Sequence, residues 1–285
     1  MILVTGATGT VGSEVVRLLA AAGQRVRAMT RDPSRVVPLP GIEVVGGDFA
    51  DPDSLARAAD KAEALLLLSA PGPDLVRHDE AMLAAARGAG VGKVVKVSAI
   101  GTGEHADAGV GDWHLPGEQA LRTSGLTWTV LRPSSFASNT LRWAAPVRRG
   151  APIPNTTGSG VQGVIDPRDV AEVAARTLTS DEQAGRVLTL TGPELLSVPD
   201  QARILADVLE RRLDTIDVPL ESYREQLLGS GLDPAFVEIA VNGSRLVAEG
   251  GNARITEEVE LVLGRPPRTF TTWARDHRTA FDTNG

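Results

Sequence analysis

The chain has 285 residues, a hydrophobic content of 42% and a formal net charge of −7, which predicts a folded protein with a sizeable core and argues against a nucleic-acid-binding surface. It has no cysteine, so disulfides, thiolate catalysis and cysteine-ligated metal sites are excluded, and its histidines at 78, 105, 114 and 277 show no metal-ligand spacing, so no metal centre is expected. No apolar run approaches the roughly 20 residues of a membrane helix and the N-terminus does not resemble a signal peptide, so a cytoplasmic location is expected.

The first predicted element is an apolar strand, Met1 to Val4, which runs directly into a glycine-rich turn and an amphipathic helix from Ser13 to Ala22. This order is typical of a cradle for a dinucleotide pyrophosphate. Gly6 permits the tight turn, Gly9 the close approach of the phosphates and Gly12 the close packing of helix on sheet. The N–H groups of the first helical turn then face the phosphates. The residues expected to contact a cofactor here are Gly6, Thr8, Gly9, Thr10, Val11 and Gly12.

The second predicted strand, Arg25 to Met29, is followed by Thr30 and Arg31 rather than by the acidic residue that usually holds the ribose 2′-OH of NAD. A guanidinium at Arg31, with Arg35 one helical turn further on, suits a 2′-phosphate and favours NADP(H) as the cofactor. Two alternatives stay open. Asp32 can in principle bond a 2′-OH, although Asp-Pro-Ser is also typical of a turn, and Arg31 can simply be solvated.

Strands and helices then alternate, which predicts an α/β protein with a doubly wound parallel sheet, that is, a Rossmann fold. Ligands of such sheets bind beyond the carboxyl ends of the strands. The predicted strands span 42–45, 64–69, 93–98 and 127–131, and the predicted helices span 52–60, 74–89 and 116–124.

The segments that follow these strands supply the remaining candidate cofactor contacts. Asp48 and Phe49 are expected to border an adenine, unless Asp48 only begins a helix. Small residues after the fourth strand leave room for a ribose, and the ends of the fifth and sixth strands bracket the expected place of a nicotinamide ring. These candidates are Ser69, Ala70, Ser98 and Pro133.

Beyond Phe136 the alternation stops, and residues 139–163 are predicted to be irregular covering structure. A helix capped at 166–169 and ending near 179, a strand at 186–191, a helix that begins with the capping pattern of 197–200 and ends near 212, and a mostly helical stretch over 219–285 complete the chain. We expect residues 1–138 to form the dinucleotide-binding core and 139–285 a smaller substrate-side region, partly interleaved with it. The candidate substrate contacts are Phe136, Asn139, Arg142 and Trp143.

Several motifs together resemble the NmrA-like branch of the atypical short-chain dehydrogenase/reductase superfamily, over nearly the whole chain. This resemblance implies a Rossmann core, bound NADP(H), and either reduction of quinone-like or carbonyl substrates or a non-catalytic, redox-sensing role. The motifs are Thr5-Gly-Ala-Thr-Gly-Thr-Val-Gly12, Arg31, Gly47-Asp-Phe49, Val97-Ser98, Leu131-Arg-Pro133 with Phe136 and Asn139, Ile165-Asp-Pro-Arg-Asp-Val-Ala171, and Leu190-Thr-Gly-Pro193.

The chain departs from ordinary short-chain reductases because it lacks their catalytic pair, a Tyr with a Lys four residues on. The only tyrosine is Tyr223, and the lysines are 61, 93 and 96. His114, four residues before Glu118, lies in the corresponding region, and quinone reductases of the NmrA-like branch resemble this arrangement. His114 is therefore a candidate proton donor or substrate hydrogen-bonder, or simply a residue at the start of a solvent-facing helix. Ser98 either bonds a substrate oxygen or ends a strand.

These features predict an NADPH-dependent oxidoreductase that transfers hydride to a quinone, an enone or a polyketide-like aromatic acceptor. Such acceptors suit the missing Tyr-Lys pair because the hydride adduct is a stabilised anion that a weak donor can protonate. The alternative is a non-catalytic NADP(H)-sensing regulatory protein that binds a partner protein. The expected partners are otherwise a small-molecule substrate, with no nucleic acid and no membrane.

Overall fold

The computed structural model describes residues 1–36, 40–104 and 113–282. Its strands are β1 (Ile2–Val4), β2 (Val26–Thr30), β3 (Ile42–Gly46), β4 (Ala64–Leu67), β5 (Lys93–Val97), β6 (Thr127–Pro133), β7 (Ile153–Asn155), β8 (Gln162–Gly163), β9 (Val187–Leu190), β10 (Leu195–Leu196) and β11 (Thr215–Asp217). Its helices are α1 (Thr10–Ala21), α2 (Pro52–Ala59), α3 (Leu75–Gly88), α4 (Leu115–Arg122), α5 (Ala144–Arg148), α6 (Pro167–Thr179), α7 (Val198–Leu209), α8 (Leu220–Gly229), α9 (Pro234–Ala248), α10 (Glu258–Leu263) and α11 (Phe270–Asp276). None of the helices described is long and apolar enough to cross a membrane.

The central sheet confirms the predicted Rossmann architecture. It has seven strands in the order β3-β2-β1-β4-β5-β6-β9. Strand β1 pairs in parallel with β2 on one side and β4 on the other, so that Ile2 lies level with both Val26 and Ala64. The chain therefore winds outward in both directions from β1, and this reversal of strand order is where such sheets bind ligands.

The sheet is held by apolar side chains on its faces, as the continuous apolar strands predict. One core cluster joins the strand residues Leu3, Leu65 and Leu67 to Met82 and Leu83 of α3. Each of these side chains is at most 4% exposed, which ties the direction of α3 to that of the sheet.

The chain divides into two compact units. The first is built from within Met1–Gly103, Gly111–Arg132 and Arg168–Thr189, and the second mainly from within Pro133–Pro167 and Leu190–Gly285. The second has its own apolar core, formed around Trp143, Phe270, Trp273 and Phe281. The domain bounds 1–138 and 139–285 stay a prediction.

The predicted strands and helices of the first unit occur to within two residues at their ends, except that α1 begins at Thr10 rather than Ser13. Gly9 is its N-cap, so the last part of the glycine motif is already helical. The capping box of Ser197 and Asp200 is also confirmed, although α7 ends at Leu209, where Glu210 adopts a left-handed conformation.

The prediction of irregular structure over 139–163 is wrong. This stretch holds the end of a 3-10 helix (Ala137–Trp143), α5, β7 and β8. These elements are two to seven residues long, too short for a periodic pattern, and buried side chains such as Val147 and Ile153 hold them in place.

Two of the three motif glycines are required by close contacts with neighbouring atoms. Gly6 has a φ of 60°, and a Cβ on it would lie 2.7 Å from Cδ2 of Leu68. A Cβ on Gly12 would lie 2.2 Å from the carbonyl oxygen of Gly6, a distance that no side chain can occupy. Gly9 is exposed, and a Cβ there would meet only the oxygen of Gly6, at 3.3 Å.

This difference predicts that Gly9→Val and Gly12→Ala fail in different ways. Gly9→Val should fold with an unchanged circular dichroism spectrum yet lose NADPH binding, because its methyl groups would occupy the space into which the phosphates are expected to fit. Gly12→Ala should instead lower the melting temperature, since α1 must move away from the turn. Thermal denaturation and cofactor titration measure both effects. Normal titration by folded Gly9→Val would show that the turn holds no phosphate.

Candidate functional site

The start of α1 forms a set of free hydrogen-bond donors at the carboxyl edge of the sheet. The first backbone bond of the helix runs from the N–H of Ser13 to the oxygen of Gly9, at 2.9 Å. The N–H groups of Thr10, Val11 and Gly12 therefore precede the helical ladder, and no side chain caps them. Such donors bind phosphate oxygens, so the turn fits a dinucleotide.

The end of β2 presents Arg31 to solvent, and no ion pair of Arg31 occurs within the described part of the chain. Its neighbour Asp32 is committed to a local turn: one carboxylate oxygen accepts hydrogen bonds from the N–H of Ser34, at 3.1 Å, and from its hydroxyl, at 2.6 Å. These bonds hold the pKa of Asp32 below its ordinary value. The guanidinium, rather than the carboxylate, is thus the free charged group here.

Asp48 and Phe49 follow β3. The interpretation of Asp48 as a residue that only begins a helix is wrong, because Asp51 is the N-cap of α2 and the Asp48 carboxylate accepts from the N–H of Ala50, at 2.9 Å. Phe49 stacks on the ring of His78, with centroids 5.0 Å apart. A half-buried aromatic wall with an exposed acid beside it is compatible with a neighbouring base, and the adenine contact stays a prediction.

Beyond the apolar core, the same sheet face becomes polar at its carboxyl edge. Lys96 of β5 lies level with Leu67 of β4 and Val130 of β6. One step further along the strands on that face lie Ser69, Ser98 and Arg132, because side chains two residues apart in a strand point to the same face. Ser69, Lys96 and Ser98 are buried, so helices α3 and α4 must supply their hydrogen-bond partners.

Each of these two helices supplies one buried carboxylate. Asp79 of α3 accepts from the hydroxyl of Ser69, at 2.8 Å, and from Nζ of Lys96, at 2.5 Å. Glu118 of α4 accepts from the hydroxyl of Ser98, at 2.6 Å, and from Arg132 at both oxygens, at 2.9 and 2.8 Å. We refer to Ser69–Asp79–Lys96 and Ser98–Glu118–Arg132 as the two acid bridges.

Sequence reasoning missed the first acid bridge. One signal was a carboxylate in the apolar stripe of α3, where Asp79 shares the buried face with Leu75 and Met82. The other was a lysine at 96 between two valines of a buried strand. The side chain of Arg132 is 13% exposed and is paired with Glu118.

His114 lies at the N-cap of α4 and is half-buried, not at the start of a solvent-facing helix. Its Nδ1 is buried without a hydrogen-bond partner among the described residues. Burial, with a smaller contribution from the positive charge of Lys96, lowers the pKa of His114 from its ordinary 6.5 to about 3. Burial disfavours the cationic ring, so the pKa of His114 lies well below the near-neutral value of an exposed imidazole.

The four candidate substrate contacts belong to the second unit. Asn139 and Arg142 are exposed, and Phe136 is half-buried, with its backbone paired to that of Ile165. Trp143 is only 4% exposed because it fills the core of this unit. The substrate contacts of the four residues stay predictions. Pro133 is buried in the same unit and Ala70 is exposed in the first, so their cofactor contacts stay predictions.

The depressed pKa of His114 predicts a specific loss of stability in acid. The unfolded chain takes up a proton on this ring below about pH 6.5, whereas the folded chain resists it down to about pH 3. The contribution of His114 to stability is thus complete above pH 6.5 and is lost as the pH falls toward 3. Compared with the wild type, His114→Gln should gain relative stability between about pH 7 and 4. Parallel melting-temperature curves for the two proteins would contradict the buried, neutral ring.

Comparison with known proteins is consistent with this geometry. The NAD(P)H-binding family profile matches residues 6–181. The chain is 37% identical, over 99% of either chain, to (4-alkanoyl-5-oxo-2,5-dihydrofuran-3-yl)methyl phosphate reductase of Streptomyces griseus subsp. griseus. It is 31% identical, again over 99% of either chain, to the NAD(P)H azoreductase of Xenophilus azovorans.

Solved structures share the fold over almost the whole chain. The NADPH complex of the quinone oxidoreductase QOR2 of Escherichia coli superposes with a TM-score of 0.86 at 23% identity, covering 98% of this chain and 100% of that one. A mutant NmrA superposes with a TM-score of 0.77 at 15% identity, covering 96% and 94%. The chain belongs to the NAD(P)H-binding family and shares its fold with NmrA and with the quinone oxidoreductase QOR2.

Proposed function

We propose that this protein is an NADPH-dependent reductase that delivers hydride to an electron-poor conjugated acceptor, such as a quinone, an enone or a polyketide-like aromatic compound. The observation that carries this proposal is the chemistry of His114. A ring with a pKa of about 3 is neutral at physiological pH, so it has a hydrogen bond to offer but no readily released proton.

The proposed class of hydride acceptor follows from the lack of a readily released proton on His114. Hydride addition to a simple ketone produces an alkoxide, which needs a true acid such as the absent Tyr-Lys pair. Hydride addition to a quinone or an enone produces a phenolate or an enolate, in which the negative charge is delocalised. A neutral donor stabilises such an anion, and water protonates it afterwards. When bound, the cofactor supplies the hydride, and the protein contributes orientation and hydrogen bonds.

The tautomer of His114 supports the same role. An N–H buried without an acceptor costs more than a buried lone pair, and Lys96 provides positive charge nearby. The proton therefore belongs on Nε2 rather than on Nδ1. We assign Nε2–H as the donor to the acceptor oxygen. Two relatives support the acceptor class: one is named as the reductase of a compound whose ring double bond is conjugated to two carbonyl groups, and the other as an azoreductase.

The preference for NADPH rests on Arg31. Arg31→Ala should lower the affinity for NADPH roughly tenfold or more, because a charge-assisted hydrogen bond to the 2′-phosphate is lost. The affinity for NADH should be unchanged. Arg25→Ala is the matched control, since it removes another exposed arginine just before the opposite end of β2. Calorimetry that gives the wild type equal affinities for the two cofactors would rule out this assignment.

Turnover itself is tested by following NADPH oxidation with quinones, acyl-substituted unsaturated lactones and simple ketones. We expect reduction of the first two classes and little of the third. His114→Ala should lower kcat about tenfold, the value of one neutral hydrogen bond, and His114→Gln should restore part of it. The kcat of the wild type should show no ionisation of this ring between about pH 5 and 9. NADPH binding without reduction of any acceptor would support the sensing alternative.

A further inference from the structure

The two acid bridges repeat one arrangement at neighbouring strand ends. In each, a serine just beyond the end of a strand donates to a carboxylate on the next helix, and a cation from the next strand pairs with the same carboxylate. We propose that Asp79 and Glu118 are positioning residues that fix Ser69 and Ser98 as hydrogen-bond acceptors for the nicotinamide riboside half of the cofactor. This inference rests on the proposed cofactor.

The direction of the hydrogen bonds follows from counting protons. A serine hydroxyl has one proton, and a carboxylate in an ion pair can only accept. The protons of Ser69 and Ser98 are therefore committed to Asp79 and Glu118. Thr102 lies 3.2 Å from Ser98, but its own proton is directed to the carbonyl oxygen of Ala99, at 2.8 Å. Only lone pairs are left on the two serine oxygens to meet a ligand.

Acceptor-only serines select which part of a dinucleotide they can contact. Phosphate oxygens at neutral pH are also acceptors, so they would be repelled, and the pyrophosphate is left to the N–H groups of α1. The ribose hydroxyls and the carboxamide NH₂ carry protons and fit. This reasoning excludes Ser98 as a proton donor to substrate, one of the two roles that its place in the sequence suggested.

The order of the strands indicates which half of the cofactor is involved. Strand β1 carries the phosphate turn, with β2 and Arg31 on one side and β4 and β5 on the other. Since Arg31 is assigned to the 2′-phosphate of the adenosine half, Ser69 and Ser98 lie on the side left for the nicotinamide riboside.

Burial separates the serines from the charges behind them. Asp79, Lys96 and Glu118 are 0% exposed, whereas Ser69 and Ser98 keep 9% and 5% of their surface. Asp79, Lys96 and Glu118 therefore act on a ligand only through the serines, whereas Arg132 keeps 13% of its side-chain surface. A buried ion pair is costly to desolvate and is often replaceable by apolar side chains without loss of stability. Two such pairs at the binding edge are thus better explained by positioning than by stability.

The test compares two ligands by isothermal titration calorimetry: NADP⁺ and adenosine 2′,5′-bisphosphate, which lacks the nicotinamide riboside. Ser69→Ala and Ser98→Ala should each lower the affinity for NADP⁺ about two- to tenfold and leave the affinity for the bisphosphate unchanged. Thr129→Val is the matched control, because it removes another buried hydroxyl from the same sheet, one that bonds the oxygen of Gln183 away from the strand ends. It should change neither affinity.

A double-mutant cycle tests the carboxylate. If Glu118 acts through Ser98, then Glu118→Gln should lower the affinity of the wild type for NADP⁺. In the Ser98→Ala background the same substitution should lower that affinity little further. Full additivity would overturn the positioning role. If Glu118→Gln does not fold, the affinities of the two serine variants for the two ligands alone test the inference.

Serine variants that bind NADP⁺ as the wild type does, or that lose both ligands equally, would overturn the inference and leave the proposed function standing. A wild type that binds neither ligand would instead overturn the proposed cofactor.

Discussion

The contact between Gly12 and the carbonyl oxygen of Gly6 is the constraint on which the binding edge depends. With no side chain at residue 12, α1 begins directly against the turn that ends β1, and its uncapped N–H groups lie at the carboxyl edge of the sheet. Because β1 is also where the strand order reverses, those donors lie at the middle of the edge. The residues on either side of these donors, such as Arg31 and Ser98, are assigned to one or the other half of the cofactor because the donors lie between them.

A second constraint is that charges buried near this edge need partners. Lys96 and Arg132 lie toward the polar carboxyl edge of this sheet face, and each is paired with a carboxylate from the covering helices. Gly117 of α4 shows how closely the two covering helices pack, since a Cβ there would lie 2.1 Å from an oxygen of Asp79 of α3. The same packing buries His114 and keeps its ring neutral, so the electrostatics of the site follow from the way α3 and α4 are seated.

The order of strands and helices in the first unit could be predicted from the sequence because long apolar strands and glycine turns are local signals. The start of α1 could not be placed, because Gly9 is an N-cap without a side-chain hydrogen bond. The burial of Trp143 and the pairing of Asp79 with Lys96 depend on residues far apart in sequence, which no local pattern reports. His114 was found by its place in the chain, but its protonation depends on burial, which only the fold reveals.

The protonation states assigned to the described residues at this edge leave no mobile proton among Ser69, Ser98, Lys96 and His114. The hydroxyl protons of Ser69 and Ser98 are held by carboxylates, the ammonium of Lys96 is held by Asp79, and His114 is neutral. An ordinary carbonyl reductase needs one of these groups to release a proton as hydride arrives. A conjugated acceptor does not, because its reduced form is stable as an anion until water reaches it. This arrangement therefore supports the proposed quinone-like and enone acceptors over simple ketones.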